Sequence, residues 1–192
     1  MAQVENVELI EEFTDYLGQY FRYMTRNFDQ EVTLKEELDH ALVYLAIQEI
    51  RFGSKFQSEI DNLDRDCHGI QVPRVLLQPL VENVFEHGLK QKSSDGLLVI
   101  RYVKEQHALT IIVEDNGESL DDDQLYQLQQ QLSNLELTKG ETTGLLNVAH
   151  RLRIKFGFPY GVQVERSLLG GLCVKMNIPR KEDLIDAPND DN

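Results

Sequence analysis

The sequence predicts an α+β domain preceded by a two-helix segment, on three observations. The first 52 residues hold two apolar stripes of helical period. Beyond residue 53, runs rich in β-branched residues alternate with helical stretches. The last two such runs flank Gly170-Gly171 and read as a hairpin.

Taken in order, Ile10, Phe13, Leu17, Phe21 and Met24 mark one face of a helix over residues 6–28. A second helix spans about 33–50, with Thr33 as a good N-cap, Leu34, Leu38, Ala41, Leu42 and Leu45 as its stripe, and Gly53 ending it. Residues 56–60 form a strand. Residues 73–90 contain a helix, because Leu76, Leu77, Leu80, Val81 and Val84 fall on one side at about 100° per residue. Strands at 97–103 and 108–114 are joined by a polar turn. Residues 118–143 are a long, Gln-rich connection with a helical piece near 124–132, and connections of that length are usually lids or binding segments. A helix at 144–156 carries Leu145, Val148, Leu152 and Phe156 on its apolar side, and strands at 162–167 and 172–178 complete the order. The division is a helical segment over 1–52, an α+β domain over 53–182, and an acidic tail over 183–192 that reads as disordered.

The formal charge of −14 over 192 residues argues against a nucleic-acid surface, which needs clustered Lys and Arg. It leaves room for a phosphate ligand, because helix N-termini and a bound Mg²⁺ supply positive potential locally. No apolar run approaches the ~20 residues of a membrane span, and the N-terminus has no signal-peptide pattern. The expected location is cytoplasmic, with any membrane anchor supplied by segments outside this chain. Cys67 and Cys173 form neither a disulfide framework nor a metal-ligand spacing.

Four short features could carry chemistry. On the helix at 73–90, Asn83, Glu86 and Lys90 gather about a third of a turn from the apolar side, with His87 at the boundary. An amide, an acid, an imidazole and an ammonium so placed could bind a metal-phosphate ligand, or could be the solvated face of an amphipathic helix. Asp115-Asn116-Gly117 follows a strand. It reads as a turn, or as an acceptor for an exocyclic amine such as that of adenine, since residues 119–123 do not resume a strand. Gly144 is a cap or a close backbone approach to phosphates at a helix N-terminus. Gly170-Gly171 is a hairpin turn before it is a ligand contact. The five histidines show no zinc spacing and no triad, and His40 beside Asp39 reads as a polar position on an exposed helix face.

The order of these features resembles the sensor histidine kinases of the LytS type, within the ATPase superfamily shared with DNA gyrase, the large heat-shock chaperones and the MutL mismatch-repair proteins. Residues 76–83 (Leu-Leu-Gln-Pro-Leu-Val-Glu-Asn) with His87-Gly88 look like the family's N box. Residues 113–117 (Val-Glu-Asp-Asn-Gly) look like its first glycine box, and residues 143–148 (Thr-Gly-Leu-Leu-Asn-Val) with Arg151-Leu152 look like its second. Upstream, residues 33–38, Tyr44-Leu45 and residues 51–53 are similar to the segment that joins the family's phosphoacceptor region to its ATPase domain.

The resemblance implies a two-layer α/β sandwich with a mixed sheet, the Bergerat-type ATP-binding fold, with ATP and Mg²⁺ as cofactors. It implies that Asn83 ligates Mg²⁺, with Glu82 a nearby metal or water contact, and that His87 and Lys90 line the same nucleotide site. Asp115 would take the adenine amino group, Gly117 would admit the base, and Thr143, Gly144 and Leu145 would border the phosphates beneath a lid at 118–143. The implied activity is autophosphorylation on histidine followed by transfer to a response regulator, in a parent protein anchored in the cell membrane. The apolar stripe on the first helix, which a monomer could leave exposed, makes a homodimer the expected assembly. The pattern departs at Glu86 (usually basic), Ser119 and Thr142 (usually Gly) and Leu172 (usually Thr). A phosphoacceptor segment resembling Pro-His-Phe-Leu-Phe-Asn does not occur in residues 1–192. The alternative is a degenerate, non-catalytic interaction module of the same fold.

Overall fold

The computed structural model describes residues 2–26, 30–90, 92–135 and 144–180, and side chains from residue 7 onward. The acidic tail therefore lies outside the described residues. Helix α1 (Ala2–Met24) packs on α2 (Leu34–Phe52). Thr33 opens α2 with a capping box: its hydroxyl accepts the Glu36 N–H at 3.2 Å, and the Glu36 carboxylate accepts the Thr33 N–H at 2.8 Å. Gly53, at φ +56°, ends α2 by donating its N–H to the carbonyl of Glu49.

Strands β1 (Glu31–Thr33) and β3 (Gln71–Pro73) form a small antiparallel pair. The main sheet contains β2 (Phe56–Ile60), β4 (Gly96–Lys104), β5 (Ala108–Asp115), β6 (Gly161–Arg166) and β7 (Leu172–Pro179), in the order β2-β4-β5-β7-β6. Only β2 with β4 is parallel, so the sheet is mixed, as expected. Helices α3 (Leu77–Asn83), α4 (Asp122–Ser133) and α5 (Gly144–Phe156) complete the helical layer with α2.

Register explains the two layers. Leu98, Ile100, Leu109, Ile111, Val113, Val174, Met176 and Ile178 alternate onto one sheet face and share a core with Leu38, Leu45, Leu77, Leu80, Leu145 and Leu152 from the helices. The opposite face carries the ion pairs Arg101–Glu114 and Lys175–Glu165, so this face needs no second helical layer. Asp115 ends β5 on the helix-facing side, two residues after Val113.

Two expectations need correction. The 73–90 stretch contains the expected helix, but regular α-helix covers only Leu77–Asn83 of it. Residues 71–73 are strand, Val75 has φ +55°, and α3 begins only at Leu77 with Pro79 in its first turn, where a missing N–H costs nothing. Past Asn83 the helix widens into a π-type turn, Val84–Gly88, in which the Leu89 N–H reaches the Val84 carbonyl at 2.7 Å. The 100° spacing therefore fails after Asn83. His40 is not on an exposed face either. It is 4% exposed, and its ring stacks on Tyr20 and Tyr23 of α1. An isolated helix does not reveal that α1 lies over this face.

Candidate functional site

Asp115 is the centre of the site. Burial pushes its carboxyl above the usual range, and hydrogen bonds from the N–H groups of Gly117 (2.7 Å) and Leu172 (3.3 Å) work in the opposite direction. Three backbones close around it. A Cβ on Gly171 would lie 2.0 Å from its Oδ1, and one on Gly88 would lie 2.6 Å from the same atom. A Cβ on Gly117 would meet the carbonyl oxygen of Gly88 at 2.3 Å. The π-type turn, the β5 end and the β6–β7 hairpin thus meet at one carboxylate.

The Asp-Asn-Gly segment is not a hairpin turn. Asn116 ties the end of β5 to the start of β4: its side-chain oxygen accepts the Leu97 N–H at 2.8 Å, and its amide donates to the Asp95 carbonyl at 2.7 Å. Lys92 braces the same corner, donating to the Asn116 carbonyl at 2.9 Å. The chain then turns away toward α4, with the Ser119 hydroxyl bonded to the His87 carbonyl.

Glu82, Asn83, His87, Lys90, Asp115, Gly117, Gly144 and Leu145 all line a single cavity of about 500 Å³. Thr143 and Thr142 lie outside the described residues. The departure residues Glu86, Ser119 and Leu172 line the cavity too. So do Gly88 and Gly171, which had a weaker sequence signal as half of an N box and half of a turn. The volume falls within the range of small-molecule and cofactor sites. Only the segments 118–135 and 144–145 of the expected lid region and its far end are described, and Leu120, Gln124 and Leu128 from it face the cavity.

Charge in the lining is mostly acidic, with Glu82, Glu86 and Asp115 against Lys90 and His87. Burial raises the Glu82 carboxyl above its ordinary value, a bond from Gln78 opposes that, and the neighbouring Glu86 adds to it. Among the described residues no group of three His, Cys, Asp or Glu is placed to hold a metal ion by itself. Mg²⁺ keeps waters and commonly arrives with substrate phosphates on one or two protein oxygens. Asn83 and Glu82 offer such oxygens. Gly144 and Leu145 bring the N-terminus of the 13-residue helix α5, the positive end of its dipole, to the cavity.

Comparison with known proteins agrees with this geometry. A family description, "Histidine kinase", matches residues 1–56. The sensor histidine kinase YesM of Bacillus subtilis (strain 168) is 27% identical over 185 residues, covering 96% of this chain and 30% of YesM. The sensor protein LytS of Staphylococcus haemolyticus (strain JCSC1435) is 29% identical over 172 residues, covering 88% of this chain and 29% of LytS. Among solved structures, the ATP binding domain of PrrB from Mycobacterium tuberculosis superposes with a TM-score of 0.53 at 17% identity, covering 80% of this chain and 98% of that one. Histidine kinase ThkA in complex with the response regulator protein TrrA superposes at 0.51 and 14% identity, covering 91% of this chain and 49% of that one.

The fold is therefore that of histidine-kinase ATP-binding catalytic domains. The chain is a relative of the LytS-type sensor histidine kinases, and it spans less than a third of the length of the two curated relatives above.

Proposed function

We propose that this chain is the ATP-binding catalytic region of a two-component sensor histidine kinase. The observation that carries the reading is Asp115: a buried carboxylate, enclosed by three glycine backbones, in a cavity that Asn83 and the first residue of α5 also line. A planar base could approach such a backbone cradle closely, and an acceptor carboxylate suits an amino group on it.

On this reading Asp115 accepts from the adenine amine, and Gly117, Gly88 and Gly171 leave room for the ring. Asn83, with Glu82 beside it, would hold Mg²⁺, which would neutralise phosphate charge. His87 and Lys90 line the phosphate side, and Gly144 and Leu145 border it at the N-terminus of α5, with Thr143 preceding them in sequence. Bound Mg·ATP supplies a γ-phosphoryl group with its charge neutralised, the requirement for phosphoryl transfer. An acceptor histidine attacks the γ-phosphorus, the bond to the β-phosphate oxygen breaks, and ADP leaves. We place that histidine outside residues 1–192, in the remainder of a longer kinase. The phosphoryl group then passes to a response regulator, consistent with the ThkA–TrrA assembly.

The domain division at 52/53 and a homodimer form part of the same proposal. Val7, Ile10 and Phe21 on α1 are 54%, 63% and 59% exposed, an apolar stripe that a second α1 would cover. A clean monomer by sedimentation at high concentration would remove the dimer. No helix among the described residues is long and apolar enough to cross a membrane. We assign this region to the cytoplasm, with anchoring left to other segments of the parent.

Calorimetric titration with ADP or ATP and Mg²⁺ tests the nucleotide reading, with Asp115→Ala as control. Saturable binding lost in the variant is expected. Absence of binding at millimolar nucleotide would instead favour the non-catalytic module, the reading that exposed Glu86 in the cavity lining supports.

A further inference from the structure

Along α3, a buried polar chain runs from the cavity lining back into the helical segment. Gln78 is 2% exposed, and its amide is fully engaged. Its Nε2 donates to the Tyr20 hydroxyl at 2.7 Å and to Glu82 Oε1 at 2.5 Å. Its Oε1 lies 2.5 Å from His40 Nε2. Since both amide protons are spent on Tyr20 and Glu82, Oε1 is the acceptor and His40 Nε2 carries the proton. His40 belongs to α2 and Tyr20 to α1. The His40 ring lies 5.3 Å from the ring of Tyr20 and 4.0 Å from that of Tyr23. The position of Gln78 thus depends on how α1 and α2 are packed.

The far end of this chain is functional ground. Glu82 lines the cavity and precedes Asn83. One of its oxygens is bound to Gln78, which draws the carboxylate toward the α1–α2 pair. We propose that Gln78, held by His40, is a positioning residue that restrains the Glu82 carboxylate on the helical-segment side of the cavity, so that the packing of α1 on α2 sets how far this carboxylate can reach toward a metal bound at Asn83. The inference rests on the nucleotide reading above and adds to it a route from the helices to the metal. A shift of α1 along α2 would draw the Tyr20 hydroxyl away from Gln78 and uncover the His40 ring on which Tyr20 and Tyr23 stack, and the carboxylate, no longer held by a fixed Gln78, would turn toward the cation.

A free carboxylate has two opposite effects, and these make the test specific. Without metal it repels nucleotide phosphates, and with Mg²⁺ it adds an oxygen ligand. Release should therefore raise the Mg²⁺ dependence of binding, taken as the Kd for ADP without Mg²⁺ divided by the Kd with it. His40→Leu removes the donor and keeps the site apolar, whereas His40→Gln places an amide donor near the Nε2 position. Calorimetry with ADP, with and without Mg²⁺, should show the ratio rising about three- to ten-fold in His40→Leu, the size of one lost hydrogen bond, and near wild type in His40→Gln. A purely structural defect would weaken both affinities together and leave the ratio unchanged, which would overturn the proposal. Equal ratios in the two variants would do the same. Should His40→Leu fail to fold, Gln78→Met keeps the side-chain length, removes both donors and carries the same expectation. No ADP binding by the unaltered chain overturns the nucleotide reading and this proposal with it; binding with a ratio insensitive to every variant overturns this proposal alone.

Discussion

A side chain on residue 117 would begin 2.3 Å from the carbonyl oxygen of Gly88, so Gly117 and Gly88 meet backbone to backbone. Neither partner is a flexible side chain that could step aside. Gly117→Ala should therefore cost about 1–3 kcal/mol of stability and pull the π-type turn off the end of β5, with loss of nucleotide binding. Urea denaturation and calorimetry check the two effects separately. Gly18→Ala is the contrast: nothing lies within 4 Å of its Cβ, and the change should add about 0.5–1 kcal/mol to helix α1.

Glu37 is fully buried and caps α3 from another helix. Its carboxylate accepts the N–H groups of Val75 (2.6 Å), Leu76 (2.7 Å) and Leu77 (3.2 Å), together with the Tyr23 hydroxyl. Glu37→Gln places an amide NH₂ against these donors and should destabilise the chain by about 2–4 kcal/mol, measured by thermal or urea unfolding. An exposed acid such as Asp39 changed to Asn should shift stability by no more than about 0.5 kcal/mol.

Glu86 projects an anionic, exposed side chain from the cavity lining. If phosphates bind there, Glu86→Lys replaces repulsion by attraction. With solvent screening, the gain should be about three- to thirty-fold in ADP affinity at low salt, and it should shrink as ionic strength rises. An unchanged Kd would place the phosphates away from this residue.

Burial lowers the pKa of His40, while the bond to Gln78 and the charge of Glu37 act against that shift and Arg74 adds to it. The unfolded chain then takes up this proton first as pH falls. The stabilisation from a neutral His40 is complete above the ordinary value of about 6.5 and is lost progressively below it. Tyr20 and Tyr23 on α1 and Gln78 on α3 pack against the ring. Their replacement is not needed for the test: wild type minus His40→Gln, followed by urea unfolding between pH 7.5 and about 5, should isolate a positive slope with pH. The raised carboxyls of Glu82 and Asp115 contribute the opposite slope in both proteins, so they cancel in the difference.

Element order was legible because alternation at period 2 and stripes at period 3.6 are local, and the strands at 56–60, 96–104 and 108–115 follow them closely. The cavity was legible as well, since Glu82, Asn83, Asp115, Gly117 and Gly144 carry a recognisable order of boxes. What escaped is tertiary. Glu37 in the first turn of a helix reads as a complement to that helix's own dipole, whereas the backbone N–H groups it accepts lie 38 to 40 residues away. His40 gives no sign of burial until Tyr20, Tyr23 and Gln78 arrive from two other helices. Gly88 and Gly171 read as punctuation, and only the contact with Asp115 makes them walls. The widening after Asn83 has no pattern in residue type, and it moves Glu86 and His87 off the spacing a regular helix would give them.

The strand order has a consequence for when this cavity exists during folding. The β4–β5 hairpin closes over three residues and can form early, as local contacts do. The parallel pairing of β2 with β4 must first enclose β3 and α3, and the pairing of β5 with β7 must enclose α4, α5 and β6. Each wall of the cavity is thus looped inside a long-range closure. The cavity is complete only when both closures are made, because Asn83 lies inside the first and Gly144 and Gly171 inside the second, and a ligand bound there would slow unfolding of the whole sheet.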